Sequence, residues 1–264
     1  MRVDLHNHTA RCKHANGSME SYILRAIELG IDVFGFSCHA PLKSGWDREY
    51  RMEYDELKYY IDDVLSLKQK YSKQIQILLA LEADFLAHRD DLIYKDLYDL
   101  ELDYLIGSVH FLDDWGFDNP VFIREYSKRD KKQTWREYLK TIALMAESGY
   151  YQIVGHFDLL KIFNYQPPEE VIEDILETLK VIKKSGMAIE VNASGLRKPV
   201  QEQYPSREII ELAYKLDVPI AFGSDAHEIN HIGFGYDQCV KIVREIGYQK
   251  VVYFENKQMK SVVF

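Results

Sequence analysis

VDLHNH, residues 3–8, decides how the rest of the chain is read. Val3, Asp4 and Leu5 open a short run of strand character, and the run finishes on His6 and His8, one residue apart. Along a β-strand, residues two apart point to the same face, so these imidazoles are presented together, like the two arms of a chelate. His14 follows in the next loop, so a third of the nine histidines fall in this opening stretch.

Six further runs of strand length follow: VFGFSCHA (33–40), ILLALEADF (77–85), YLIGSVHF (104–111), YQIVGHFD (151–158), MAIEVNAS (187–194) and PIAFGSDAH (219–227). They are rich in β-branched and aromatic residues, as strands are. Segments of helical periodicity separate them, over 19–30, 54–71, 134–149, 168–186, 206–217 and 236–247. Gly30, Gly149, Gly186 and Gly247 stand where a left-handed C-terminal cap belongs, and Pro168 with Glu169 suits a helix start. Repeated strand–helix alternation predicts a parallel sheet covered by helices, and closure into a barrel removes both of its edges. The alternative is an open, doubly wound sheet, but no GxGxxG or GxxxxGK[ST] follows any strand. The tail KVVYFENKQMKSVVF (250–264) reads as a strand or hairpin. No linker or repeat divides residues 1–264, which are expected to form a single domain.

The composition, 47% hydrophobic and 28% charged, is that of an ordinary globular chain. A net charge of −9 argues against duplex nucleic acid as a partner but leaves a small anionic substrate open. No apolar stretch is long enough to predict a membrane span, and no secretory signal opens the chain. Cys12, Cys38 and Cys239 make neither a disulfide framework nor a CxxC motif, which fits a reducing cytoplasm.

The remaining histidines repeat the pattern of the first run. His39, His110 and His156 end the second, fourth and fifth runs, Glu82 lies near the end of the third, and Asp225 and His227 end the seventh. Only the sixth run, EVNAS, lacks a histidine or aspartate at its end. In a parallel barrel these ends open on one face, where active sites are built. A lone strand-end histidine is usually a packing residue, but so many at corresponding positions predict a metal centre. Imidazole and carboxylate donors suit Zn²⁺, Mn²⁺ or Fe²⁺, and nine of them exceed the needs of one ion. Two or three divalent ions are therefore expected, with a carboxylate bridging.

His6, His8, His14, His39, Glu82, His110, His156, Asp225 and His227, taken in order, resemble the ligand pattern of the PHP (polymerase and histidinol phosphatase) family. SCHAP (37–41) and NASGLRK (192–198) are similar to its stand-alone phosphatases of histidinol phosphate. The resemblance implies a distorted (β/α)7 TIM-like barrel and a trinuclear centre. His6, His8, Glu82 and Asp225 would hold one ion, Glu82 with His110 and His156 the second, and His14, His39 and His227 the third. Cys38 is a departure, since many relatives carry aspartate before the motif histidine.

The chemistry so implied is hydrolysis of a small phosphate monoester, L-histidinol phosphate in histidine biosynthesis, by a metal-bridging hydroxide held through Glu82 and Asp225. Arg197 and Lys161 are candidate phosphate grips, with Arg124, Arg89, Arg11 and Lys13 weaker ones. His88 or His231 could protonate the leaving alkoxide, and the loop FLDDWGFD (111–118) offers carboxylates and aromatic faces to a cationic head group. The rival readings are a phosphoesterase of nucleotides, short oligonucleotides or phosphotyrosine, and a non-catalytic metal-binding module.

Overall fold

The computed structural model describes all residues, Met1–Phe264. Seven parallel strands pair in chain order: β1 (Val3–Asp4), β2 (Val33–His39), β3 (Gln76–Asp84), β4 (Tyr104–Ser108), β5 (Ile153–Val154), β6 (Ala188–Asn192) and β7 (Ile220–Gly223). A doubly wound sheet would break that order where the chain reverses direction. Here it does not break, and β1 meets β7 to close the ring. Leu5 N donates to Phe222 O at 2.8 Å, His8 N to Ala226 O at 2.9 Å and Ala226 N to His6 O at 3.3 Å. The architecture is a distorted (β/α)7 barrel.

Six helices flank the strands: α1 (Met19–Glu28), α2 (Leu57–Lys70), α3 (Lys131–Glu147), α4 (Ile172–Lys184), α5 (Arg207–Lys215) and α6 (Tyr236–Ile246). Each buries one stripe; α5, for example, turns Ile209, Ile210 and Ala213 inward. Ser18, Asp130 and Ser206 cap α1, α3 and α5 by accepting from the backbone N–H of Ser21, Gln133 and Ile209. The helices start and stop within a few residues of the sequence reading. The largest shift is at α4, where a 3-10 turn, Glu169–Val171, intervenes between Pro168 and the α-helix.

The strands are buried on both faces, and one cluster of 71 buried residues runs through the barrel and beneath the helices. Two glycines permit close approaches that a side chain would block. A Cβ at Gly35 would strike the Tyr104 hydroxyl, which crosses the barrel to donate to Leu5 O at 2.5 Å. One at Gly223 would strike the Glu190 carboxylate.

The tail is a hairpin, β8 (Lys250–Glu255) and β9 (Gln258–Val263). It packs at the end where the barrel strands begin: Met1 N donates to Val263 O at 2.8 Å and Lys257 N to Asp103 O at 2.8 Å. The other end, where the strands finish, is left open. No helix is long and apolar enough to cross a membrane.

Candidate metal centre

All nine candidate ligands converge at the open end, because each sits at or just beyond the end of its strand. In the β2–β3 ladder His39 lies beside Glu82. At the seam the parallel bridge between Asn7 and Ala226 aligns His6 and His8 with Asp225 and His227. His6 Nε2 is 3.3 Å from Glu82 Oε2, and His8 Nε2 is 3.2 Å from Asp225 Oδ1. Glu82 Oε1 is 2.9 Å from His156 Nε2 and 3.5 Å from His110 Nε2. His156 and Asp225 both adopt positive φ, 24° and 52°, a strained backbone that persists where surrounding structure enforces it.

The donor atoms form three-membered groups lying within 4.8 Å of one another: His6, His8 and Asp225; Glu82, His110 and His156; His8, His39 and His227. The second holds the three residues that the resemblance assigns to one ion, and the first holds three of the four assigned to another, without Glu82. The third is looser, since His14, which is exposed, groups with His227 and Cys12 instead. Even so, the His14 ring lies 5.4 Å from that of His39 and 4.5 Å from that of His227, between centroids.

Several of these side-chain atoms are buried without hydrogen-bond partners. His6 Nε2, His8 Nε2, His39 Nδ1, Glu82 Oε2, His156 Nδ1 and His227 Nε2 are all orphaned. His39 Nδ1 is only 2.9 Å from Glu82 Oε2 but off any hydrogen-bonding direction. Leaving so many polar atoms unpaired is costly unless something else satisfies them. Oxygen and imidazole nitrogen at these separations suit a divalent cation. The electrostatics agree. Burial opposes charge on His110, yet Asp84 and Glu82 beside it push its pKa up to about 10. His8, equally buried, is raised to about 9, chiefly by Asp225. Burial also disfavours the charged forms of Glu82 and Asp225, but the surrounding imidazoles hold both well below the usual carboxylate range. Around His8 and His110 the pocket is thus a negative field that draws positive charge, whereas burial, with His8 nearby, holds His14, His39 and His227 below the ordinary histidine value.

A surrounding layer fixes the ring orientations. Glu190 Oε1 lies 2.7 Å from His6 Nδ1, Asp84 Oδ1 lies 2.9 Å from His110 Nδ1, and Cys12 O lies 2.8 Å from His14 Nδ1. With Nδ1–H donating to these oxygens, each Nε2 lone pair is left for a cation. Asp84 is ion-paired at 2.6 Å to Arg51, whose Nε donates to Asp47 at 2.8 Å. Asp225 accepts from Ser194 Oγ at 3.0 Å and Asn192 Nδ2 at 3.3 Å.

Over the donors opens a cavity of about 460 Å3. On the side of the loops after β6 and β7 it is lined by Ser194, Arg197, Lys198 and His231. On the other side, after β2 and β4, stand Asp47, Tyr50, Arg51, Phe111, Asp118, Asn119 and Phe122. Arg197 Nη2 donates to Ser224 O and Asp225 O at 2.8 and 3.0 Å, while its buried Nη1 has no partner. Of the carboxylates in the 111–118 loop, Asp118 lines the cavity, whereas Asp114 turns away to pair with Arg89.

Lys161 requires a correction. It is not on the cavity wall but fully buried, with Nζ 2.9 Å from Asp158, 2.6 Å from Glu202 and 2.9 Å from Gln203 O. Its three donors are spent, so none remains for a phosphate. The weaker cations also lie off the cavity wall: Arg11 pairs with Asp63, Lys13 with Glu53 and Arg89 with Asp91, and Arg124 is exposed. His88 faces a separate cavity of about 230 Å3, so of the two spare histidines only His231 reaches the site. Sequence reasoning missed Glu190, Asp84, Arg51 and Asp47. The first left a trace, since Glu190 and Asn192 stand two apart in EVNAS and face the same way.

Comparison with known proteins agrees with this geometry. The PHP domain family matches residues 4–194. The "Probable histidinol-phosphatase" of Deinococcus radiodurans is 35% identical over 254 residues, covering 96% of this chain and 97% of that protein. The histidinol-phosphatase of Bacillus subtilis is 30% identical, with 89% and 96% covered. The crystal structure of histidinol phosphate phosphatase from Lactococcus lactis, complexed with zinc, L-histidinol and phosphate, superposes with a TM-score of 0.83 at 19% identity, with 98% of each chain covered. With a family match over residues 4–194 and a relative 35% identical along nearly its whole length, the chain belongs to the PHP domain family.

Proposed function

We propose that residues 1–264 form one catalytic unit, a phosphoric monoester hydrolase that converts L-histidinol phosphate and water to L-histidinol and phosphate. The observation that carries this reading is the polarity of the cavity across its mouth: Arg197 and Lys198 stand on one side, Asp118 on the other, and the donor cluster lies beneath. A phosphate at one end and a cationic amino-imidazole at the other match that arrangement. The relatives named for histidinol phosphate support it.

His6, His8, Glu82 and Asp225 would hold one divalent ion, and Glu82, His110 and His156 a second. His14, His39 and His227 would hold a third. Zinc, manganese and iron(II) all suit these donors. Such ions would acidify a water and neutralise charge building on the phosphoryl oxygens. The protein's own part is positioning. The free Nη1 of Arg197 grips a phosphate oxygen while its other nitrogen is tied to the backbone at Ser224 and Asp225, so the clamp is set before substrate arrives. His231, which lines the cavity and pairs with Glu228 at 2.7 Å, would protonate the leaving alkoxide, with Glu228 offsetting the burial and the Arg197 charge that lower its pKa. Asp118 and the ring of Phe122 receive the cationic head. The three cysteines are all unpaired, consistent with work in the cytoplasm.

The test is turnover by metal-loaded protein of histidinol phosphate, a nucleoside monophosphate, a phosphotyrosine peptide and a short single strand. Histidinol phosphate should be preferred by kcat/KM, and His8→Ala should abolish turnover and reduce bound metal. Equal or greater activity on another member of the panel overturns the substrate, and full activity in His8→Ala overturns the mechanism.

A further inference from the structure

Two of the three cysteines take no part in this chemistry, yet they lie against it. Cys12 ends the 3-10 turn Ala10–Cys12 after β1, and Cys38 is the penultimate residue of β2. Their sulfur atoms lie within 4.8 Å of each other and of a ring nitrogen of His8. Both side chains are fully buried. The Cys38 sulfur accepts from Thr9 N at 3.4 Å and Thr9 Oγ1 at 3.2 Å, which fixes it on the side facing the turn. The Cys12 sulfur in turn lies within 4.8 Å of the ring nitrogens of His14 and His227, and both of those residues line the cavity. Cys12 is itself off the cavity wall, so hydrogen peroxide entering the cavity would reach this sulfur by passing between those two rings.

We propose that Cys12 and Cys38 are a dithiol that hydrogen peroxide converts to a disulfide, and that closing this bond dislodges the ligands of the third ion. The chemistry balances with peroxide as sole oxidant. One cysteine sulfur takes an oxygen from peroxide as the O–O bond breaks, giving a sulfenic acid and one water. The second sulfur attacks the first, forming the S–S bond and expelling the hydroxyl with the remaining thiol proton as a second water. Two sulfurs are oxidised and one peroxide is reduced.

The geometric consequence follows from bond length. A disulfide holds its sulfurs at about 2.05 Å, so the 3-10 turn and the end of β2 must move toward each other. The turn leads into Lys13, held at a φ of 70°, and His14, whose Nδ1 is hydrogen-bonded to Cys12 O at 2.8 Å. Beside Cys38 stands His39. Both histidines belong to the loosest donor group of the centre, which has least to resist the pull.

The experiment uses zinc-loaded protein, because zinc has no redox chemistry of its own. Treatment with hydrogen peroxide should lower the mass by two hydrogens, about 2 Da, and non-reducing peptide mapping should recover Cys12 linked to Cys38. About one zinc equivalent should be released, hydrolysis of histidinol phosphate should fall about 10-fold, and dithiothreitol should restore both. Cys12→Ser and Cys38→Ser should each keep their own untreated zinc content through the same exposure. Recovery of both thiols in alkylatable form after peroxide, or zinc loss as fast in the serine variants as in the parent, overturns the proposal. Mass and zinc readings need no substrate, so the disulfide is judged separately from the substrate assignment.

Discussion

Glu190 Oε1 lies 2.7 Å from His6 Nδ1, and neither side chain is reached by solvent. The second Glu190 oxygen takes the His156 N–H at 2.9 Å and Asn192 Nδ2 at 2.9 Å, so one carboxylate sets the pose of two candidate ligands. Glu190→Gln keeps the shape but loses the charge that orients the imidazole and makes it a better donor. Metal affinity, measured by competition with a chelator, should fall about 10- to 100-fold. Undiminished affinity would show that Glu190 is only a packing residue.

The Arg51–Asp84 pair holds His110 in a similar way. Burial disfavours the Asp84 carboxylate, but Arg51 and His110 outweigh that and hold its pKa well below the usual range. Arg51→Met leaves this charge buried beside only a histidine. The variant should lose about 3–5 kcal/mol in denaturant unfolding. A loss below about 1 kcal/mol would show that solvent or a neighbouring cation replaces the guanidinium.

Arg197 and Lys161 looked alike as loop cations following strands, and the structure separates them. Arg197→Ala removes a charge-assisted contact to phosphate, so kcat/KM should fall about 10- to 100-fold while the melting temperature moves little. Unaltered kinetics would remove Arg197 from the phosphate clamp.

Lys161→Met should do the reverse. Asp158 is left without its cation in the core, and stability should fall by about 3 kcal/mol with KM for substrate unchanged. A raised KM in a fully folded variant would contradict the buried, internally paired position of Lys161.

Removing metal exposes a pH dependence with a defined sign. His8 and His110 have folded-state values raised to about 9 and about 10 by the carboxylates around them, above the ordinary 6.5. Folding therefore favours their protonated forms. The stabilisation is complete below about pH 6.5 and is lost as pH rises through 9 and 10. Chelator-stripped protein should melt at progressively lower temperature over that range, whereas zinc-loaded protein should decline less, because the ion replaces the protons. A stripped protein whose melting temperature stays level or climbs from pH 7 to pH 10 would refute this.

How far the sequence carried the reading depended on whether position along a strand was enough. The barrel and its strand-end donors were legible because period-two pairs such as His6/His8 and Asp225/His227 announce their own geometry. The oxygens that orient those rings were harder to see. Asp84 falls two residues beyond Glu82 on β3, where it reads as the end of a strand. Arg51 lies in an irregular segment with no periodicity to place it. Lys161 misled because the chain after His156 folds back through the 3-10 turn Leu159–Lys161 and points the side chain inward, which a loop reading does not anticipate.

The seam where β1 meets β7 has a consequence for biosynthesis. The donors His6 and His8 are synthesised well before Asp225 and His227, which lie on the last strand of the barrel. A nascent chain stalled anywhere before that point lacks the closing carboxylate of the first ion site, however well its earlier strands have paired. Capture of an ion across the seam would therefore wait until β7 has been made and has paired with β1.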